Sequence, residues 1–405
     1  MLHSALRVAE ATSPMSPSSP SRARRTCQAI FFLLPLAIIL GIPLSVLWLG
    51  GEFIDPEKVV SLQMDDTRLV LHGPAYTNSA TYVKARLQAL RRPQVVALGN
   101  SRVLQFRREF FLPDIRFYNA GGSVARIRNF RAFLECLPRE ALPETLLIAT
   151  DTSYFNLSFD KVDRDGYAGS WVREQLEAHS SPTVVFQTRW RDVWKDMRAG
   201  KIKYSRLFSL DGWSTRVGLN ALSNNAGFRN DGSYRYNELE QDISNPRHHD
   251  YQFARTLHAV STGDGRFPWG EKPSDEAVGE MEKVLDFCIA NRIHLIGFMP
   301  PHAHAVWAAM QALGDRYAYI PALESEMRKR FEDRGFEFYN FSDLASFGAP
   351  DTEATDGYHG SERAYLRLFI SMLEQGSQLN ACANLEALRQ ALATTPEQGN
   401  VFPDL

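Results

Sequence analysis

The sequence is poor in the residues that mark a metal centre, a disulfide scaffold or a nucleic-acid surface. It has only four cysteines, Cys27, Cys136, Cys288 and Cys382. Their wide spacing fits no zinc motif and no disulfide framework. Cys136 and Cys288 stand in apolar helical patterns and are expected to be buried free thiols; Cys27, at the edge of an apolar run, is a candidate for acylation. An excess of either charge is also missing. With 45 Lys and Arg against 47 Asp and Glu, the chain lacks the basic excess of a phosphate-backbone binder, and no nucleic-acid partner is expected. His302 and His304 in PPHAH invite a metal reading, but no third and fourth ligand stand at suitable spacing. No metal and no cofactor is therefore assigned.

What the chain does have is one long apolar run. Residues 28–50 read QAIFFLLPLAIILGIPLSVLWLG without a charge, long enough to cross a bilayer as a helix. It exceeds a signal-peptide core, and no small-residue cleavage site follows. Arg22, Arg24 and Arg25 precede it, and Glu52, Asp55 and Glu57 follow. The arginines place the N-terminus in the cytoplasm and the rest outside, anchored by a single pass in the inner (plasma) membrane with the main domain periplasmic or extracytoplasmic. Residues 1–26, rich in Ser, Pro and Arg, are expected to be a disordered cytoplasmic tail, 27–50 the transmembrane helix, and 51–92 a linker and leading helix.

From Gln94 onwards strand and helix alternate. VVALGN, IRFYNAGG and TLLIAT are short apolar runs ending in turn residues. SRVLQFRREFF reads as a helix start, and VARIRNFRAFLECL (124–137) carries apolar residues at helical spacing. The pattern resumes with helices over 276–293, 317–334 and 361–376 and strands HLIGFMP and FEFYNFS, with Ser361 as an N-cap. Continuous apolar strands between helices predict an α/β fold: three layers, α/β/α, with a mostly parallel sheet covered on both faces, spanning 93–380. Residues 157–271 break the alternation and are expected to be an inserted cap beside the site; 381–405 read as a partial helix and a frayed tail. The aromatic residues, 11% of the chain and concentrated in its middle third, suit either ordinary core or a sugar-stacking surface.

A nucleophilic serine needs a base, a group that orients the base, and donors for the oxyanion. Ser101 follows a predicted strand, at the sheet edge where open α/β folds bind ligands, and opens a predicted helix whose dipole would favour developing negative charge. Gly99 and Asn100 permit the tight turn. TDGYHGS places Asp356 and His359 three residues apart, so that one loop can present both.

These residues resemble the motifs of the SGNH/GDSL hydrolases. GNSR at 99–102 resembles their first block, NAGG at 119–122 the second, and DGYH at 356–359 the last. The resemblance implies Ser101 as nucleophile, His359 as base and acid, Asp356 as orienting carboxylate, and the N–H groups of Ser101 and Gly122 as oxyanion donors, with Gly121 an alternative to Gly122. It departs at the third block, where an asparagine is usual and IATDTSYFN stands instead. The closest likeness is to a membrane-anchored bacterial branch resembling polysaccharide O-acetylation proteins. This implies a serine esterase or O-acyltransferase acting on acyl, most simply acetyl, esters of a cell-surface or exopolysaccharide, or on another acylated small molecule, beside a membrane-bound O-acyltransferase. The alternative is a catalytically degenerate scaffold or glycan-binding subunit of such a complex. Asn100, Arg102, Asp151, Arg229, Tyr234 and His302 are candidate substrate contacts, each with a plainer reading as turn, core or surface residue. Tyr236 shares the Arg229–Tyr234 stretch. His248 and His249 lie in a polar stretch and are expected to be exposed.

Overall fold

The computed structural model describes residues 22–159, 181–208, 214–395 and 400–404. The expected tail lies outside these residues as far as position 21, as do the cap stretches 160–180 and 209–213. Helix α1, Arg22–Leu49, begins within the span assigned to the tail. Its segment Ile30–Leu49 has a mean hydropathy of 2.7 with only 17% of its best window buried, so it is long and apolar enough to cross a membrane. The leading segment holds α2 (Pro56–Gln63), capped by the Asp55 carboxylate with Pro56 in the first turn, strand β1 (Leu71–His72) and α3 (Ala80–Arg91).

The main sheet contains β2 (Val95–Gly99), β3 (Phe117–Gly121), β4 (Thr145–Ala149), β8 (His294–Met299) and β9 (Glu337–Asn340) in the order β3-β2-β4-β8-β9, every pair parallel. Alternate strand residues point to opposite faces, and both faces are dry. Val96, Leu98, Leu146, Ile148 and Leu295 join α4 (Ile127–Glu135) and helix Asp275–Asn291 in one cluster. Val95, Ala97, Leu147, Ile296 and Phe298 join helix Glu362–Glu374 in the other. This accounts for the unbroken apolar strands, and it gives helices on both sides of a parallel sheet, as expected.

Several boundaries differ. SRVLQFRREFF does not form an α-helix: Ser101–Val103 and Arg108–Phe110 are single 3₁₀ turns, because Val103, Phe106 and Phe110 are drawn into the second cluster rather than onto one helical stripe. The helices expected over 317–334 and 361–376 run Tyr319–Glu332 and Glu362–Glu374, the latter capped by Ser361 Oγ. The C-terminal tail is not frayed over 400–404. Val401 and Phe402 pack into the second cluster, and Asp404 pairs with Arg229 and Arg235. Cys288 is buried, but Cys136 is exposed, since it caps the outer end of α4.

The described part of the cap is not a separate lid. Strands β5 (Arg216–Val217), β6 (Gly227–Phe228) and β7 (Tyr234–Arg235) join β1 in a mixed sheet. The turn between β6 and β7 covers the free edge of β3, with the Asn119 N–H donating to Asp231 O at 2.7 Å. The helix Pro182–Arg198, here α5, lies against α1 and buries Val185 and Val193 with Val46 and Leu47.

Candidate active site

The strand order places a topological switch between β2 and β4, and open sheets bind ligands outside the carboxyl ends of strands at such a point. Ser101 stands one residue beyond Asn100 at the end of β2, and Asp151 stands at the end of β4. Gly121 fits beside this turn because a Cβ there would lie 2.6 Å from the Val103 side chain.

The loop 354–360 comes from the far end of the chain and is tied at several points. Ala354 and Gly360 form a β-bridge. The Thr355 N–H donates to His359 O at 2.9 Å, and the Gly357 N–H donates to the Asp250 carboxylate at 2.9 Å. A Cβ on Gly357 would collide with Thr256 at 2.6 Å, so the cap packs directly on this loop. The Tyr358 hydroxyl donates to Asp151.

The loop carries His359 to Ser101. The Ser101 Oγ lies 2.7 Å from His359 Nε2, and His359 Nδ1 lies 3.0 and 2.9 Å from the two oxygens of Asp356. With the proton on Nδ1, His359 donates to Asp356 and accepts from the serine hydroxyl, as a general base must. Asp356 Oδ1 also accepts the backbone N–H groups of Tyr358 and His359, both at 2.7 Å. Burial opposes its ionisation, but His359, His249 and the Tyr358 N–H outweigh it and hold the carboxyl well below the usual range. All three side chains are part-buried, so the group opens to solvent.

Of the two expected oxyanion donors, one is already engaged. The Gly122 N–H donates to Gly99 O at 2.8 Å and Asn100 O at 3.2 Å, which corrects its assignment as an oxyanion donor. The Gly121 N–H is likewise spent, on Asn119 Oδ1 at 2.8 Å. The physical reason is the backbone path: Gly122 has φ +81°, which turns its N–H back towards the end of β2. Among the described residues the Ser101 N–H has no acceptor. The 3₁₀ turn it opens is only three residues long, so the expected helix dipole is missing.

The expected substrate contacts divide sharply. Asn100, Arg102, Asp151 and His302 are all buried beneath the triad and bound to one another. Asn100 Nδ2 donates to Asp151 at 3.0 Å, and its Oδ1 accepts the Arg102 N–H. Arg102 donates to Pro300 O at 2.8 Å, to Pro301 O at 2.5 Å and to His302 Nε2 at 3.1 Å. Its guanidinium lies 4.1 Å from the Tyr358 ring centroid and 3.9 Å from Asp151. Asp151 further binds the N–H and hydroxyl of Ser153. Burial penalises its charge, but Arg102, Arg266 and these hydrogen bonds outweigh the penalty and lower its pKa to about 2. Burial and then Arg102 push His302 far below the usual imidazole range, which keeps it a neutral acceptor. These four side chains form a floor that locks the Ser101 turn to the His359 loop, and none of them is free for a ligand. Arg229 lies apart, buried with Arg107, Glu362 and Asp404. Tyr234 sits in an aromatic row between Phe228 and Tyr236, with ring separations of 5.1 and 5.0 Å. A Cβ on Gly122 would lie 3.9 Å from Phe228, and Tyr236 feels the charge of Asp356, so this row walls one side of the opening.

One of the two histidines expected to be exposed is not. His248 is buried, its Nδ1 accepting the Asp250 N–H at 3.0 Å. His249 is exposed, as expected, and its Nε2 lies 3.6 Å from Asp356 Oδ2. Contact with Asp356 raises its pKa. Their sequence neighbours carry no sign of this, because the contact is made by the cap folding back over more than a hundred residues. No protein-family model and no curated protein matches the chain.

Proposed function

We propose that the chain is a membrane-anchored serine esterase or O-acyltransferase of the SGNH/GDSL type, its main domain extracytoplasmic, acting on acyl esters of a cell-surface or exopolysaccharide. The observation that carries this reading is the hydrogen-bonded line from Ser101 through His359 to Asp356. In the reaction, Ser101 Oγ attacks the ester carbonyl while His359 Nε2 takes its proton. The carbon–oxygen bond to the leaving alcohol then breaks, and His359 returns the proton to that alcohol. Water or a sugar hydroxyl, deprotonated by the same imidazole, takes the acyl group from Ser101. The aromatic row Phe228, Tyr234 and Tyr236 stands beside the opening that a sugar acceptor would enter.

A second reading has a specific observation in its favour. With Gly122 and Gly121 engaged and no asparagine at the end of β4, the oxyanion has fewer donors than an efficient hydrolase uses, and one missing donor costs roughly 10²–10³ in turnover. A degenerate, glycan-binding subunit beside a membrane-bound O-acyltransferase would have no need of them. Labelling of the full chain by a fluorophosphonate separates the two. The enzyme reading expects a covalent adduct that Ser101→Ala abolishes; no adduct on the intact chain supports the binding subunit. Acetate release from p-nitrophenyl acetate, with and without oligosaccharide acceptors, then distinguishes esterase from transferase.

A further inference from the structure

The line from Ser101 through His359 does not end at Asp356. One oxygen of that carboxylate, Oδ2, faces two imidazoles: His359 Nδ1 at 2.9 Å and His249 Nε2 at 3.6 Å. The two nitrogens can lie no further apart than these two distances laid end to end.

The approach of His249 is built into the cap. An exposed side chain swings freely when its backbone does, but here the backbone is held on both sides. His248 is buried; its Nδ1 accepts the Asp250 N–H at 3.0 Å, and its Nε2 donates to Glu240 O at 3.3 Å. Asp250 is buried as well. Its carboxylate accepts the Gly357 N–H at 2.9 Å, the Thr256 N–H at 3.0 Å and the Thr256 hydroxyl at 2.6 Å. Gly357 follows Asp356 directly, so the segment that carries His249 also grips the loop that carries Asp356 and His359. The His248 ring lies 4.5 Å from that of His249 and narrows its range further.

The charges that face His249 come from three places. Contact with Asp356 is the strongest and favours the imidazolium, and Asp250 of its own segment adds to it. Partial burial opposes the charge, as does Arg255 in helix Ala254–Thr262. The balance raises the pKa of His249.

Two imidazoles on one carboxylate compete for protons. A proton on either is stabilised by Asp356 and repels a proton on the other. A general base must be neutral to act. A proton taken by His249 leaves His359 free, and the charge so placed resists a second proton. The same charge also opposes the imidazolium formed during attack, so reactivity drops to a lower plateau rather than to zero.

We propose that His249 is a positioning residue that acts through Asp356: it takes up the first proton as the surroundings turn mildly acidic, and so keeps His359 neutral and Ser101 reactive to lower pH. The inference rests on the serine-enzyme reading above.

The test is the rate at which a fluorophosphonate labels the full chain in detergent, followed between about pH 5 and 8. The unaltered chain is expected to lose reactivity on the acid side in two shallow steps. His249→Gln, neutral throughout, should lose it in one step whose midpoint lies roughly 0.5–1 pH unit higher. His249→Lys, a cation throughout, should also give one step, displaced to lower pH and starting from a lower plateau. His249 is exposed, so both variants should fold. A purely structural role would change the plateau in both variants and leave the midpoints in place. Coincident midpoints in all three chains, with labelling intact, overturn this inference alone. No labelling of the unaltered chain at any pH overturns the enzyme reading and this inference with it.

Discussion

Arg102 follows Ser101 directly, and its replacement distinguishes a buried brace from a substrate ligand. Its guanidinium is 1% exposed and holds two proline carbonyls, the His302 imidazole and the face of Tyr358, with Asp151 at 3.9 Å. Arg102→Met would leave Asp151 ionised and buried without its nearest cation. Breaking a buried pair from one side costs about 3–5 kcal/mol. Arg102→Lys retains the charge, but an ammonium on a flexible stem does not span the carbonyls and the imidazole together. Losing one charged hydrogen bond costs roughly 1.5–3 kcal/mol, so the lysine variant should fall between. Thermal unfolding of the full chain in detergent reads these losses at about 2 °C per kcal/mol for a domain of this size. The expected order of Tm is wild type, then Lys, then Met. Tyr358 adjoins His359, so p-nitrophenyl acetate turnover should fall in kcat in the same order. An unchanged Tm in Arg102→Met, with only a raised KM, would refute the brace and restore Arg102 as a substrate contact.

Gly122→Ala tests the reassigned glycine. A Cβ there meets Phe228 only at 3.9 Å, so the cost is the positive φ alone, ~1–2 kcal/mol. Alanine keeps the N–H, so the change reads the backbone path: Tm should fall by about 2–4 °C, and an unchanged Tm would count against the left-handed conformation of Gly122. Asp356→Asn keeps the shape of the loop but permits the wrong histidine tautomer, and kcat should fall by about 10⁴ with fluorophosphonate labelling slowed in step. Acid stability follows from Asp151 and Asp356, both lowered in the fold from an unfolded value near ~3.9. Their contribution is complete above that value and is lost as pH falls through the folded values. Tm should therefore decline below about pH 4, and Asp151→Asn should flatten that decline; an unchanged slope counts against the burial argument.

The alternation of apolar runs was enough to read the parallel sheet and its covered faces, because strands buried on both sides must be apolar throughout. The meeting of Ser101, His359 and Asp356 was legible for a related reason: the proposed chemistry fixes which residue types must meet, and Asp356 and His359 travel together on one short loop. What stayed hidden depended on contacts between distant segments. Arg102 looks like any surface arginine until the Pro300–His302 loop closes over it. His249 gains its position only through the cap. Gly122 was named, with Gly121 as the alternative, from the resemblance of NAGG to a family motif, and a pattern of glycines does not say which way a peptide N–H points. The 3₁₀ turn at Ser101 defeated the helical reading because its apolar residues are spent on tertiary packing.

Ser101 and His359 are separated by 258 positions. At a synthesis rate of ~5–20 residues per second, the hydroxyl is made well before its imidazole partner exists. Until strand β9 and the loop after it have been delivered, Ser101 is an ordinary alcohol at the end of a strand. On the proposed function such a chain emerges inert, and reactivity arises only once the last part of the fold has closed over the first.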